Sequence, residues 1–180
     1  LAAPVSAAVP HDTGAWLPLH LFLVGGLLGA IAAATVMLAV TWSSAPAPAP
    51  RVATAQRWSL GLGVVAVVLG REEAVAALAV GGALAVALSL ELLASSLAGI
   101  RREAVVERFH PAIEAYLAAV AFGLVGVGVG IGLDRGWGGS AWADLREAHL
   151  VLNLYGLVGL VVAGTLPFFT ATQARTKMSA

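Results

Sequence analysis

The sequence contains no cysteine among its 180 residues, and only 11% of its residues are charged. The absence of cysteine excludes a disulfide framework, thiolate-ligated metals and iron–sulfur clusters, so any bound metal would have imidazole or oxygen ligands. A soluble domain carries about twice this share of charged residues. The ten basic and ten acidic residues cancel, and the net charge therefore gives no indication of a nucleic-acid partner.

Apolar residues, in contrast, make up 59% of the chain and give it a mean hydropathy of +0.91. They fall into long runs, and about 20 apolar residues in a helix suffice to cross the hydrocarbon core of a bilayer. The sequence therefore predicts an all-α, polytopic transmembrane bundle of five spans embedded in the lipid bilayer. The bundle is predicted over residues 16–172, with helices at about 16–42, 54–70, 74–100, 111–133 and 147–170.

Polar or proline-containing segments flank and connect these helices. Residues 1–15 read as an exposed N-terminal segment, residues 43–56 as a semi-rigid linker, and residues 173–180 as a cytoplasmic tail. The first residue is Leu1 rather than Met, which predicts a chain that is processed or is part of a longer one. The expected partners are therefore other membrane subunits or a missing part of the same chain.

The basic residues are distributed unevenly between the two ends of the predicted spans. If Trp16 marks the outer end, seven of the ten basic residues lie inside and three outside. Because cytoplasmic loops carry an excess of Lys and Arg, the N-terminus is predicted outside and the C-terminus inside. The inner set is Arg51, Arg57, Arg101, Arg102, Arg108, Arg175 and Lys177, and the outer set is Arg71, Arg135 and Arg146.

The fifth predicted helix carries two polar side chains in an apolar run, His149 and Asn153. They are four residues apart and therefore share one face of the helix. A buried imidazole needs a hydrogen-bond partner or a metal, because an unsatisfied polar group in lipid is costly. This pattern leaves two interpretations open: His149 hydrogen-bonds a neighbouring helix, or it ligates a heme iron or a copper ion.

The first predicted helix carries His20 about one turn from the end at which Trp16 lies. With an odd number of spans, the first and fifth helices run in the same direction, so His20 and His149 lie at a similar depth near the outer leaflet. Two imidazoles at one depth suit a bis-histidine heme b or, with further ligands, copper. Asn153, one turn deeper, would orient a ligand. We therefore predict that the two histidines converge, with Asn153 beneath them.

Two stretches resemble a known group of membrane proteins. AHLVLNLYGLVGLVVAGTLPFFTATQARTKMS is similar to the H-L-x-L-N-x-x-G helix of proteins related to the heme-copper oxidase catalytic subunit, and WLPLHLFLVGGLLGAI is similar to the W-L-x-x-H-L-x-L-x-G helix of the same group. That group includes NnrS-like proteins and the membrane domains of actinobacterial multicopper-oxidase or nitrite-reductase-like proteins. The resemblance implies a domain of the bacterial plasma membrane whose histidines bind heme or copper.

Two further features of the sequence concern helix packing and a charge inside the membrane. Gly126 and Gly130 belong to a glycine-dense helix, and their spacing predicts a close helix–helix contact. Glu91 lies well inside the third predicted helix, where it reads as a carboxylic acid hydrogen-bonded across helices or as a proton or ion site.

The sequence thus supports three functions. The first is a redox membrane subunit of a respiratory electron-transport chain, which binds heme b or copper through His20 and His149 for electron transfer or for nitrogen-oxide or copper handling. The second is a non-catalytic anchor or accessory subunit of a larger complex that binds no cofactor. The third is a small transporter that uses Glu91. No catalytic nucleophile or general base stands out, so an enzymatic activity is not assigned.

Overall fold

The computed structural model describes residues 15–174 and consists of helices joined by short turns. Five of its helices are long and apolar enough to cross a membrane. The predicted all-α, five-span membrane fold is therefore confirmed, and the chain is an integral membrane protein. We number these helices α1 to α5, and they run Trp16–Ser43, Pro50–Glu72, Ala76–Arg102, Glu107–Asp134 and Gly139–Ala171.

The predicted N-terminal segment 1–15 and the predicted tail 173–180 lie outside the described residues, except for residues 15, 173 and 174. Within the described range, α2 begins at Pro50, four residues before the predicted start. A proline fits the first turn of a helix, where its missing N–H leaves no hydrogen bond unmade. The alanine- and proline-rich connection between α1 and α2 is correspondingly shorter than the predicted linker.

The helix α5 also begins earlier than its apolar run. Its first part, Trp142–Val151, is α-helical and carries Asp144 in the first turn, where a carboxylate favours the helix N-terminus. A short 3₁₀ turn, Gly139–Ala141, precedes it. Hydropathy locates the apolar part of a span, whereas the helix itself continues into the polar segment that precedes His149.

The helices α2 and α3 form the closest helix pair in the bundle. A Cβ atom added at Gly63 would lie 2.8 Å from the carbonyl oxygen of Gly82, and one added at Gly82 would lie 2.7 Å from that of Gly63. A Cβ at Gly70 would likewise overlap the backbone of Ala79. Small residues allow two membrane helices to approach with their backbones almost in contact. Side chains larger than hydrogen at these positions would separate the pair.

An aromatic cluster closes the end of the bundle opposite Trp16. Phe109 is 1% exposed and packs edge-on against Trp42 and Phe168, with ring centroids 4.9 and 4.7 Å away. Beside it, the hydroxyl of the fully buried Tyr116 lies 2.8 Å from the hydroxyl of Thr165. These contacts join α1, α4 and α5, the three helices that carry the candidate site at the other end.

Candidate functional site

His20 lies in the first turns of α1 and is half-buried. Its Nδ1 is 2.9 Å from the carbonyl oxygen of Trp16, one turn back along the helix. Side chains on a helix tilt toward its N-terminus, so a histidine readily reaches the carbonyl four residues earlier. The indole ring of Trp16 also stacks on the imidazole, with centroids 4.3 Å apart and planes inclined by 26°. The ring of His20 is therefore fixed by the first turn of its own helix.

His149 lies in α5 and is held by the neighbouring helix instead. Its Nδ1 is 2.9 Å from the carbonyl oxygen of Gly126 in α4. A Cβ added at Gly130 would lie 3.0 Å from Cε1 of the imidazole, so the two glycines form the shallow surface on which the ring rests. The prediction that Gly126 and Gly130 lie at a helix–helix contact is confirmed.

Asn153 lies one turn beyond His149 on the same face of α5. Its Nδ2 donates a hydrogen bond of 2.7 Å to the carbonyl of His149 and lies 3.4 Å from the Nδ1 of that ring. Because the carbonyl of Gly126 only accepts, Nδ1 carries a proton and offers no lone pair to the amide. A Cβ at Gly126 would lie 2.5 Å from this Nδ2. Asn153 is thus packed between its own helix backbone and the glycine surface of α4.

The two imidazoles converge in the structure. Their centroids are 6.5 Å apart, and their planes are inclined by only 13°. In both rings Nδ1 is occupied by a backbone carbonyl, which assigns the lone pair to Nε2. Within residues 15–174, neither Nε2 makes a hydrogen bond. A metal-ligating histidine is usually held in this way, with its other nitrogen donating to a carbonyl and fixing the tautomer.

The spacing of the rings can be compared with that of two ligands on one metal ion. A metal–imidazole bond is about 2.0–2.1 Å long. In a ring with bonds of about 1.33 Å, each nitrogen lies roughly 1.1 Å from the ring centre. Two imidazoles on opposite sides of one ion would therefore have centroids about 6.3 Å apart by these lengths. The observed 6.5 Å is close to this value and exceeds the 4.3 Å of the directly stacked Trp16–His20 pair.

Each of the two histidines is followed by a π-helical segment. Leu21–Leu27 follows His20 directly, and Leu152–Gly159 begins three residues after His149. A π-helical turn holds more residues than an α-helical turn, is rare, and is frequent at functional sites. Neither segment was predicted. Hydrophobic periodicity does not report which carbonyl each backbone N–H bonds, so it cannot distinguish a π-helical turn from an α-helical one. In the first segment, the pair Gly25 and Gly26 is the one local sequence feature that marks it.

A cation that was not predicted from the sequence lies beside the histidine pair. The guanidinium of Arg71 in α2 lies 4.3 Å from the centre of the Trp16 ring. It also lies 3.7 Å from a carboxylate oxygen of Asp134 at the end of α4. Trp16 therefore contacts both Arg71 and His20. This end of the bundle combines two imidazoles with a positive charge that one carboxylate partly neutralises.

The structure does not bring the other predicted site residue, Glu91, to this site. Glu91 lies on the outward-facing side of α3 and is exposed. At the opposite end of the bundle, Glu114 pairs with Arg101 of α3 at 2.6 Å rather than with His110. Among residues 15–174, no group of three or more His, Cys, Asp or Glu side chains is placed to hold a metal ion. In the part of the chain that the structure describes, the histidine pair thus has no third side chain of these types beside it.

Comparisons of the chain with protein-family models, with curated proteins and with solved structures find no match.

Proposed function

We propose that this chain is a redox membrane domain that binds heme b between His20 and His149. The observation that carries the proposal is the matched geometry of the pair: each Nδ1 donates to a carbonyl at 2.9 Å, and the centroids are 6.5 Å apart. The resemblance to proteins related to the heme-copper oxidase catalytic subunit supports the same assignment. We place the domain in a bacterial plasma membrane, with the site near the outer leaflet.

The number of ligands favours heme over an isolated metal ion. A zinc ion takes about four ligands, and copper in the divalent state is typically bound in tetragonal or three-ligand sites. Only two imidazoles are present here within the described residues, and no acidic or histidine side chain completes a larger set. Heme supplies four nitrogens of its own, so two imidazoles complete the coordination of its iron. Monovalent copper, which accepts few ligands, is the alternative occupant.

The space between α1 and α5 is consistent with a bound group. Along the described residues the two backbones do not pack closely together. Side chains bridge them, His20 to His149 near one end and Trp42 to Phe168 near the other. A flat ligand inserted between α1 and α5 would therefore displace side chains rather than separate two closely packed backbones.

The chain's own residues would orient and polarise the bound group. The carbonyls of Trp16 and Gly126 hold the rings and increase the basicity of Nε2. Arg71 places positive charge beside the site, which suits an anionic substituent of the group. When bound, a heme held by His20 and His149 would supply one-electron transfer. The proposed role is therefore electron transfer within a respiratory chain.

The same hydrogen bonds also favour a second candidate function. An imidazole that donates across helices, as His149 does to Gly126, stabilises helix packing without any ligand. In that case the domain is a non-catalytic anchor or accessory subunit of a larger membrane complex. The two functions differ in one measurable property, the presence of a cofactor.

The test is an absorption spectrum of the purified full chain, reduced minus oxidised, together with heme extraction and copper analysis. We expect a low-spin heme b spectrum with one heme per chain. His20→Ala and His149→Ala should each abolish it. His110→Ala is the matched control, since His110 is half-buried at the opposite end of the bundle, and it should retain the heme. A wild-type protein without heme overturns the proposal, and copper in its place would assign the site to copper.

A further inference from the structure

The carboxyl group of Glu91 lies on the membrane-facing surface of the bundle. It is exposed, and it makes no hydrogen bond or ion pair within residues 15–174. It lies 15 residues from Ala76 and 11 from Arg102, the two ends of α3. At a rise of about 1.5 Å per residue, it is therefore about 16 Å from the nearer helix end. Among residues 15–174, this carboxyl group has no partner.

Glu91 belongs to a regular line of exposed residues on α3. Their spacings alternate between four and three residues, which is the a/d pattern of a heptad repeat. Between residues 76 and 100, Leu78 is the one exposed residue outside this line. We call this line the Glu91 seam, and its members are Ala77, Gly81, Leu84, Leu88, Glu91 and Ser95.

The seam contains both kinds of residue by which membrane helices associate. Ala77 and Gly81 are small residues four apart, and a Cβ added at Gly81 would meet nothing within 4 Å. Such a pair allows a second helix to approach closely, while polar side chains such as Glu91 and Ser95 hydrogen-bond across the contact. The one buried glycine of α3, Gly82, in contrast already packs against α2. The seam therefore has the composition of a helix-packing surface, and residues 15–174 leave it uncovered.

We propose that the Glu91 seam is the interface of a homodimer, in which α3 packs against α3 of a second copy. Copies inserted in the same direction are related by an axis along the membrane normal, so both Glu91 side chains lie at the same depth. A neutral carboxylic acid is complementary to itself, since its O–H donates and its C=O accepts. The basic residues within 15–174 lie near helix ends, so a copy offers no cation at this depth. A pair of neutral acids is therefore the arrangement that a second copy provides. This proposal is independent of heme binding.

The absence of cysteine allows a direct test with single-cysteine variants of the full chain in native membranes. Leu84→Cys and Leu88→Cys place a thiol in the seam. Val125→Cys is the matched control: Val125 is 55% exposed against 58% for Leu84, and it lies nine residues from the end of α4 where Leu84 lies eight from the start of α3. We expect a short thiol cross-linker to give dimers of the first two variants and not of the third.

The role of Glu91 is tested in the Leu84→Cys background. Glu91→Leu should reduce the cross-linked fraction at least tenfold, whereas Glu91→Gln, whose amide also donates and accepts, should preserve it. Replacing an exposed acid with leucine does not disturb the packed interior, and a single, non-aggregated elution peak in detergent verifies folding. Equal cross-linking of Val125→Cys, no dimer from either seam variant, or a cross-link to a different protein each overturns the proposal.

Discussion

The Nδ1 of His149 in α5 lies 2.9 Å from the carbonyl oxygen of Gly126 in α4, a contact that joins two membrane helices. A Cβ at Gly126 would lie 2.5 Å from Nδ2 of Asn153 and 2.8 Å from its Oδ1. The position of the Asn153 side chain next to this contact thus depends on the absence of a methyl group at Gly126. This relationship leads to the first prediction.

Gly126→Ala should destabilise the bundle, because the added methyl group must displace the half-buried side chain of Asn153, which lies against α4. Overpacking of this kind costs about 1–3 kcal/mol. Gly128→Ala is the control on the same helix, since a Cβ there would meet nothing within 4 Å. It should be neutral or slightly stabilising, because alanine favours a helix over glycine. The thermal midpoint of each variant in detergent measures the difference, and equal midpoints would contradict this account.

Asn153→Ala should weaken heme retention without abolishing it. The amide donates to the carbonyl of His149 rather than to the ring, so its loss loosens the helix face that carries the ligand. Changes to residues that orient a ligand typically reduce metal affinity by about 10- to 100-fold. Heme transfer to apomyoglobin gives the rate of loss. Leu154→Ala, at an exposed neighbouring position, is the control and should lose heme at the wild-type rate. A complete absence of heme from Asn153→Ala would contradict this account, because it would show that heme binding requires the amide itself.

Phe109→Ala should destabilise the opposite end of the bundle. In a soluble core this substitution costs about 3–5 kcal/mol. The cost here should be smaller, since lipid is as apolar as the core and only the packing contacts are lost. Phe169→Ala provides the comparison, because Phe169 is 50% exposed to the surroundings of the bundle. Unfolding in mixed micelles should show a clear loss for Phe109→Ala alone.

The five spans could be predicted from the sequence, because hydropathy shows which segments are apolar enough to lie in lipid. Long apolar runs predict the five spans, and the order of the helices gives His20 and His149 the same depth. Apolar runs do not mark helix ends, so the early starts of α2 at Pro50 and of α5 at Gly139 were not predicted. Contacts between helices, such as Arg71 on Trp16, depend on which helices are neighbours, and the sequence pattern carries no direct record of this.

Membrane orientation is the next prediction. The seven basic residues assigned to one side include Arg51 and Arg57, which the structure places in the first turns of α2, still at the end opposite Trp16. We therefore expect the N-terminus outside. An alkaline phosphatase reporter inserted between α1 and α2 should be inactive, and one inserted between α4 and α5 should be active. The reverse pattern would place the histidine pair at the inner face of the membrane.

The π-helical segment of α1 yields a prediction about deletions. In Leu21–Leu27 the helix accommodates more residues per turn than an α-helix does. Deleting Gly26, beside which a Cβ would find nothing within 4 Å, should let this segment relax toward an α-helix while the parts on either side keep their positions.

Deleting Ala33 provides the comparison. Ala33 lies in the part Leu28–Ser43, which is α-helical and holds no extra residue per turn. Its deletion would rotate everything before it by about 100°, the angle per residue of an α-helix with 3.6 residues per turn. His20 would then point away from His149. The Gly26 deletion should therefore give a folded protein that elutes as the wild type does, whereas the Ala33 deletion should aggregate or lose the histidine site. Equal damage from both deletions, measured by elution profile and heme content, would show that the π-helical segment does not accommodate an extra residue.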